Sequence, residues 1–141
     1  MLRVLKRSNA DMDTLITMYT TIIRRVLEYA CQVWHFNIQD YLSEDIEKIQ
    51  QRALRIALPL MSYREARDFT GIPLLKTRRE TLCEQFFKKN ENNDKLSEIL
   101  HHKAITDYEM RPRCKYNNYL CRTERFRKSF FPQIISKENS K

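Results

Sequence analysis

The chain has 141 residues with a formal net charge of +8, and 42% of its residues are hydrophobic. That length has room for one domain with a modest core. With one glycine and four prolines, the sequence is poor in residues that make tight turns, which disfavours a β sandwich or barrel. We therefore predict an all-α protein: a small bundle of about five helices followed by an irregular basic C-terminal extension.

Neither a membrane-spanning helix nor a signal peptide is expected. The sequence has no apolar run of about eighteen residues. The basic residues 1–7 are not followed by the apolar segment of a signal peptide. We therefore expect an intracellular location, with nucleus and cytoplasm left open, and four reduced cysteines.

Positive charge is concentrated at the C-terminal end of the chain. Residues 103–141 hold ten Lys/Arg and four Asp/Glu, interleaved with tyrosines and phenylalanines. A nearly neutral helical body with a basic, aromatic tail suggests RNA or DNA as partner. A solvated basic segment without a specific partner is the alternative on composition alone.

The longest periodic stretch predicts a first helix over residues 12–34. Its apolar residues recur at three- and four-residue steps, and a second apolar stripe lies beside them. A helix with so wide an apolar arc is expected near the centre of the bundle. The face predicted to be buried consists of Leu15, Met18, Tyr19, Ile22, Val26, Tyr29 and Val33.

The second helix is predicted over residues 44–58, with Ser43 as its N-cap and Pro59 as its end. Apolar residues three and four apart form a narrow seam that faces the first helix. A separate basic face of this helix carries Lys48, Arg52 and Arg55.

Two further helices are predicted from their boundary residues. Ser62 and Glu65 have the spacing of a capping box, and Gly71 suits the left-handed end of that helix. Pro73 is predicted to begin the next helix, which runs to about Lys89. The buried side of this fourth helix is predicted to hold Leu75, Leu82 and Phe86, with Arg78, Arg79, Glu80 and Glu84 outside.

We predict a helical bundle over residues 1–103 and a partly ordered basic aromatic extension over residues 104–141. A short fifth helix is expected after the polar loop at residues 90–94. Beyond it the periodicity fades, and Pro112 and Pro132 are predicted to break any helix.

The sequence predicts no catalytic residues, cofactor or metal. No aromatic-x-Asp-Asp hairpin is present to hold the metal ions of a polymerase, and no histidine is paired with a nucleophile. His101, His102, Cys114 and Cys121 are possible zinc ligands by type. However, six residues separate the two cysteines, whereas structural zinc sites favour about two to four.

Two groups of cations are candidate nucleic-acid contacts, because guanidinium groups bind phosphate through paired hydrogen bonds. The alternative for both groups is a solvated face with local ion pairs. For Phe130 and Phe131 we favour a structural role, anchoring the tail to the core. The predicted binding residues are Arg52, Arg55, Arg78 and Arg79 in the helical body, and Arg122, Arg125, Arg127 and Lys128 in the tail.

Four blocks occur in a fixed order and carry a resemblance to a known family. They are residues 19–34, residues 46–55, residues 71–79 and residues 122–132. The most specific is the Glu-x-x-Gln-x-x-Ala-x-Arg pattern from Glu47 to Arg55. Together the blocks resemble the thumb or connection side of reverse transcriptases from non-LTR (LINE-like) retrotransposons, the region beyond the catalytic palm.

This resemblance implies a non-catalytic fragment that contacts nucleic acid within a larger RNA-directed DNA polymerase, with a polymerase palm domain as a further partner. A helical protein-interaction module and a relic of a retroelement without function are the alternatives. Arg25 departs from the family pattern, where proline is common. The sequence does not distinguish RNA from DNA or indicate an oligomeric state.

Overall fold

The computed structural model describes residues 1–97 and 116–140. Within these ranges the regular structure is helical and no strand occurs, which confirms the predicted all-α class. None of the described helices is both long and apolar enough to cross a bilayer. In chain order the helices are α1 (Leu2–Arg7), α2 (Met12–Met18), a π-helix (Tyr19–Ile23), α3 (Arg24–Glu28), α4 (Cys31–Trp34), α5 (Asp40–Ala57), α6 (Tyr63–Thr70), α7 (Leu75–Asn90), α8 (Asp94–Ser97), α9 (Glu124–Arg127) and α10 (Phe130–Asn139).

The chain divides into two compact units. The first unit consists of Met1–Tyr29 and Gln39–Arg79, and the second consists of Ala30–Ile38 and the described part of Glu80–Lys141. The predicted domain boundary at residue 103 lies outside the described residues and stays a prediction.

The core of the first unit is built by α1, α2, the π-helix, α5 and α6. The apolar periodicity of α2 and α5 places their buried side chains against each other, as expected for amphipathic helices. The buried residues of this core are Leu2, Leu15, Tyr19, Ala53, Leu54, Ala57, Leu58, Ala66 and Ile72.

The predicted continuous helix over residues 12–34 is wrong, because the π-helix interrupts it. A π turn holds one extra residue, and each residue of a helix turns the chain by about 100°, so the face that follows is rotated. Ile23 therefore packs against the core, whereas Ile22 is 45% and Val26 72% exposed. A second break follows at Ala30, whose φ of 47° is left-handed.

The predicted burial of the later residues on this face is also wrong. Tyr29 is 79% and Val33 75% exposed. The rotation at the π turn and the break at Ala30 together end the face that Leu15 and Tyr19 begin. Leu15 and Tyr19 themselves are buried as predicted.

Helix α5 begins at Asp40, four residues before its predicted start. Ser43 lies inside the helix and is buried rather than capping it, and its hydroxyl accepts a hydrogen bond from Arg79 Nη2 at 2.6 Å. The sequence suggested a cap because serine favours that position, but a buried partner from α7 stabilises it within the helix instead.

The predicted boundaries of α6 are confirmed. The Ser62 side chain accepts from the backbone N–H of Glu65, and the Glu65 carboxylate accepts from that of Ser62. Gly71 ends the helix with a φ of 66°, in the left-handed region where glycine has no steric penalty.

Helix α7 begins at Leu75, two residues later than predicted. Its buried residues include Leu75, Cys83 and Phe87. The predicted burial of Phe86 is wrong, since that ring is 39% exposed, and Leu82 is half-buried.

The second unit has its own small core, formed by Phe87, Tyr116, Ile134 and Ile135, against which Phe130 and Phe131 pack. This confirms the structural role predicted for the two phenylalanines. The prediction that Pro132 breaks any helix is wrong. This proline lies in the first turn of α10, where its missing N–H costs no intrahelical hydrogen bond.

Candidate nucleic-acid interface

A buried polar network fixes the position of α5 against the loop before α7. Gln50 is fully buried, and its amide oxygen accepts a hydrogen bond from the Tyr19 hydroxyl at 2.6 Å. Its amide nitrogen donates to the Tyr63 hydroxyl and to the Pro73 carbonyl, both at 2.9 Å. One side chain therefore joins the π-helix, α6 and the start of α7.

Glu47 extends the same network by one helical turn. Its Oε2 accepts from the backbone N–H of Leu75 at 2.9 Å, and its Oε1 accepts from the Tyr63 hydroxyl. The carboxylate thus satisfies a free N–H group at the positive end of α7. Burial raises the pKa of Tyr19 and of Tyr63 above the usual range, and the bond to Glu47 adds to the rise at Tyr63.

The network joins two of the four sequence blocks described above. Glu47 and Gln50 belong to the most specific block, and Pro73 and Leu75 belong to the block at residues 71–79. Residues of these two blocks therefore maintain the fold of the first unit. Sequence reasoning did not assign them this role.

A cationic cleft of about 590 Å³ opens in the first unit. Lys48, Arg52 and Arg55 lie on one face of α5 because they are four and three residues apart. Arg3 of α1 adds a fourth cation, which the sequence analysis did not select. The remaining lining residues are Gln51, Leu54, Ile56, Met61, Ser62, Tyr63 and Ala66.

Among the described residues, no carboxylate lines this cationic cleft. Asp45 pairs with Lys48 at 2.8 Å, and that hydrogen bond raises the pKa of Lys48. Arg52 and Arg55 are exposed and make no ion pair with the described residues. Two guanidinium groups are therefore available to an anionic ligand.

The predicted second pair of arginines in the body does not join this cleft. Arg79 is fully buried, so the prediction that it faces outward is wrong. Arg78 is half-buried, and its Nε lies 3.4 Å from Glu28 Oε1. The same carboxylate oxygen lies 3.6 Å from Arg24 Nε, so Glu28 bridges two cations.

The predicted tail residues surround α9 in the second unit, and all four are exposed: Arg122, Arg125, Arg127 and Lys128. Glu124 lies 3.1 Å from Arg127 and 3.6 Å from Lys128. Arg122 and Arg125 make no ion pair within the described part of the chain. The tail therefore also presents two guanidinium groups without a carboxylate partner.

An aromatic pair lies beside these cations. The rings of Tyr119 and Phe126 meet edge to face with centroids 5.8 Å apart, and Phe126 is 42% exposed. Burial raises the pKa of Tyr119. An exposed ring among arginines is a combination that single-stranded nucleic-acid sites use.

Neither candidate metal ligands nor comparisons with known proteins indicate a function for the site. Among residues 1–97 and 116–140, no three His, Cys, Asp or Glu side chains are grouped as a metal site. His101, His102 and Cys114 lie outside those ranges. Comparison of the chain with protein-family models, with curated proteins and with solved structures gives no match.

Proposed function

We propose that this chain is a non-catalytic nucleic-acid-binding module, the thumb-side or connection-side part of a LINE-like RNA-directed DNA polymerase. The observation that carries the binding proposal is the cationic cleft, which four cations line with no carboxylate among its described lining residues. The family assignment rests on the sequence blocks.

The chemistry of the cleft suits a phosphate backbone. Arginine presents several N–H donors in a planar fork that matches phosphate oxygens. Arg52 and Arg55 have no competing carboxylate in the described residues, so binding phosphate breaks no ion pair there. The net charge of +8 adds long-range attraction for a polyanion.

The salt dependence of binding provides the test. Each phosphate neutralised on duplex DNA contributes about −0.9 to the slope of log affinity against log salt, so four cleft cations predict a slope at least as steep as about −3.6. Arg52→Gln is expected to make the slope shallower by about 0.9. Fluorescence anisotropy with a labelled duplex measures both quantities.

Arg25→Gln is the matched control, because Arg25 is exposed on α3 and does not line the cleft. It is expected to leave the slope unchanged. No affinity at low salt, or a slope near zero, contradicts the proposal.

A protein-interaction module is the second candidate, and one observation favours it. The side chains of Ile22, Val26 and Tyr29 are 45%, 72% and 79% exposed within one short stretch of the first unit. Exposed apolar side chains that form one patch mark surfaces that bind another protein. A protein complex with salt-insensitive affinity and no nucleic-acid binding would favour this candidate.

A further inference from the structure

An apolar groove of about 410 Å³ lies in the first unit beside the cationic cleft. Side chains from α1, the π-helix and α5 line it, and most of them are aliphatic: Met1, Leu2, Ile23, Ile49, Ala53 and Ile56. Its volume falls within the range of about 300–1,000 Å³ that small-molecule sites occupy.

The groove and the cleft are adjacent, because they share lining residues. Arg3, Arg52 and Ile56 line both of them. Within residues 1–97 and 116–140, no carboxylate lines either depression. The lining of the groove therefore combines aliphatic side chains with two guanidinium groups, so the matching ligand carries negative charge next to an apolar group.

We propose that the cleft and groove together bind single-stranded nucleic acid, with an unstacked base in the groove and its neighbouring phosphates on Arg3 and Arg52. This inference rests on the proposed nucleic-acid binding and specifies the form that is bound. A strand repeats one phosphate for each base, which matches cations beside an apolar groove. A duplex keeps its bases stacked inside and leaves the groove empty.

The lining predicts how the base is held. The described lining of the groove contains no aromatic ring, so the base is held by contact with aliphatic side chains rather than by stacking on an aromatic face. Such contact accepts any base, and we expect weak base preference. An acidic amphipathic helix is the competing ligand, but the larger of the two depressions is lined by four cations, which favours a polyanion.

The test compares three probes by fluorescence anisotropy: an oligothymidine of about 12 nucleotides, an abasic strand with the same number of phosphates, and a duplex of the same length. The oligothymidine is expected to bind on the order of tenfold more tightly than the abasic strand, because its base buries apolar surface in the groove. Ile49→Ser is expected to weaken the oligothymidine complex about fivefold and to leave duplex affinity unchanged.

Ile22→Ser is the matched control, because Ile22 is 45% exposed and Ile49 is 43% exposed, and Ile22 does not line the groove. It is expected to bind all three probes as the wild type does. Far-UV circular dichroism checks that both variants keep their helical content.

Equal affinity for the oligothymidine and the abasic strand overturns the inference, as does an equal effect of Ile49→Ser on strand and duplex. An acidic helical peptide whose binding depends on Ile49, with strand binding independent of it, assigns the groove to a protein and also overturns the inference. If one of these contradicting results is obtained and the duplex still binds, the inference fails but the proposed function stands. If no probe binds at low salt, both fail.

Discussion

Replacing Gln50 with leucine is expected to lower the free energy of unfolding by about 3 kcal/mol. The substitution replaces the amide with an apolar side chain and removes the acceptor of the Tyr19 hydroxyl and the donor to the Pro73 carbonyl. A buried polar group without a partner costs about 1–3 kcal/mol. The substitution removes a partner from two groups, the Tyr19 hydroxyl and the Pro73 carbonyl. Urea denaturation followed by circular dichroism measures the change.

Gln51→Leu is the control for this prediction, because Gln51 is the exposed neighbour on the same helix. Its effect is expected to stay within about 0.5 kcal/mol. Tyr19→Phe combined with Gln50→Leu should cost less than the sum of the single changes, since the hydroxyl that Gln50→Leu leaves without a partner is then gone. Additive losses, or a Gln50→Leu effect as small as that of Gln51→Leu, would contradict a role for this network.

Replacing Glu47 with alanine is also expected to cost about 3 kcal/mol. The carboxylate accepts hydrogen bonds from the Tyr63 hydroxyl and from the Leu75 N–H at the start of α7. Hydrogen bonds to a charged group contribute about 1.5–3 kcal/mol each, and a negative charge at a helix N-terminus adds about 0.3–1 kcal/mol. The same denaturation experiment reports the loss.

Glu44→Ala serves as the control, because Glu44 lies three residues earlier on α5 and is exposed. Its expected effect is within about 0.5 kcal/mol. Equal effects of the two substitutions would show that Glu47 acts through general charge and not through its contacts with α6 and α7.

Glu47 and Gln50 have a structural role in the first unit. Glu47 and Gln50 are polar residues in the middle of a helix, and their spacing gives the most specific of the sequence blocks. Their partners come from the π-helix, α6 and the loop at Pro73. Two residues of this pattern therefore join three chain segments through hydrogen bonds. The cations proposed to bind nucleic acid lie on another face of the same helix.

Local signals in the sequence were sufficient for some features. The capping box at Ser62 and the left-handed Gly71 depend on residues within one turn, and both are confirmed. The shared face of Lys48, Arg52 and Arg55 follows from helical spacing alone.

Features that depend on distant contacts could not be predicted in this way. The π turn at residues 19–23 rotates the later apolar face, and no residue of that segment signals it in the sequence. Arg79 is buried with Ser43, a partner 36 residues away. Arg3 joins the cleft only because α1 packs near α5, which helical periodicity does not reveal.

The most direct test of the central claim is the affinity of the double variant Arg52→Glu/Arg55→Glu for a labelled single-stranded RNA at low salt. Its control is Arg7→Glu/Arg25→Glu, which changes the net charge equally at exposed positions outside the cleft. If the cleft binds nucleic acid, the first variant loses on the order of tenfold in affinity and the control remains close to the wild type. Equal affinity of the two variants would contradict a nucleic-acid site at the cleft.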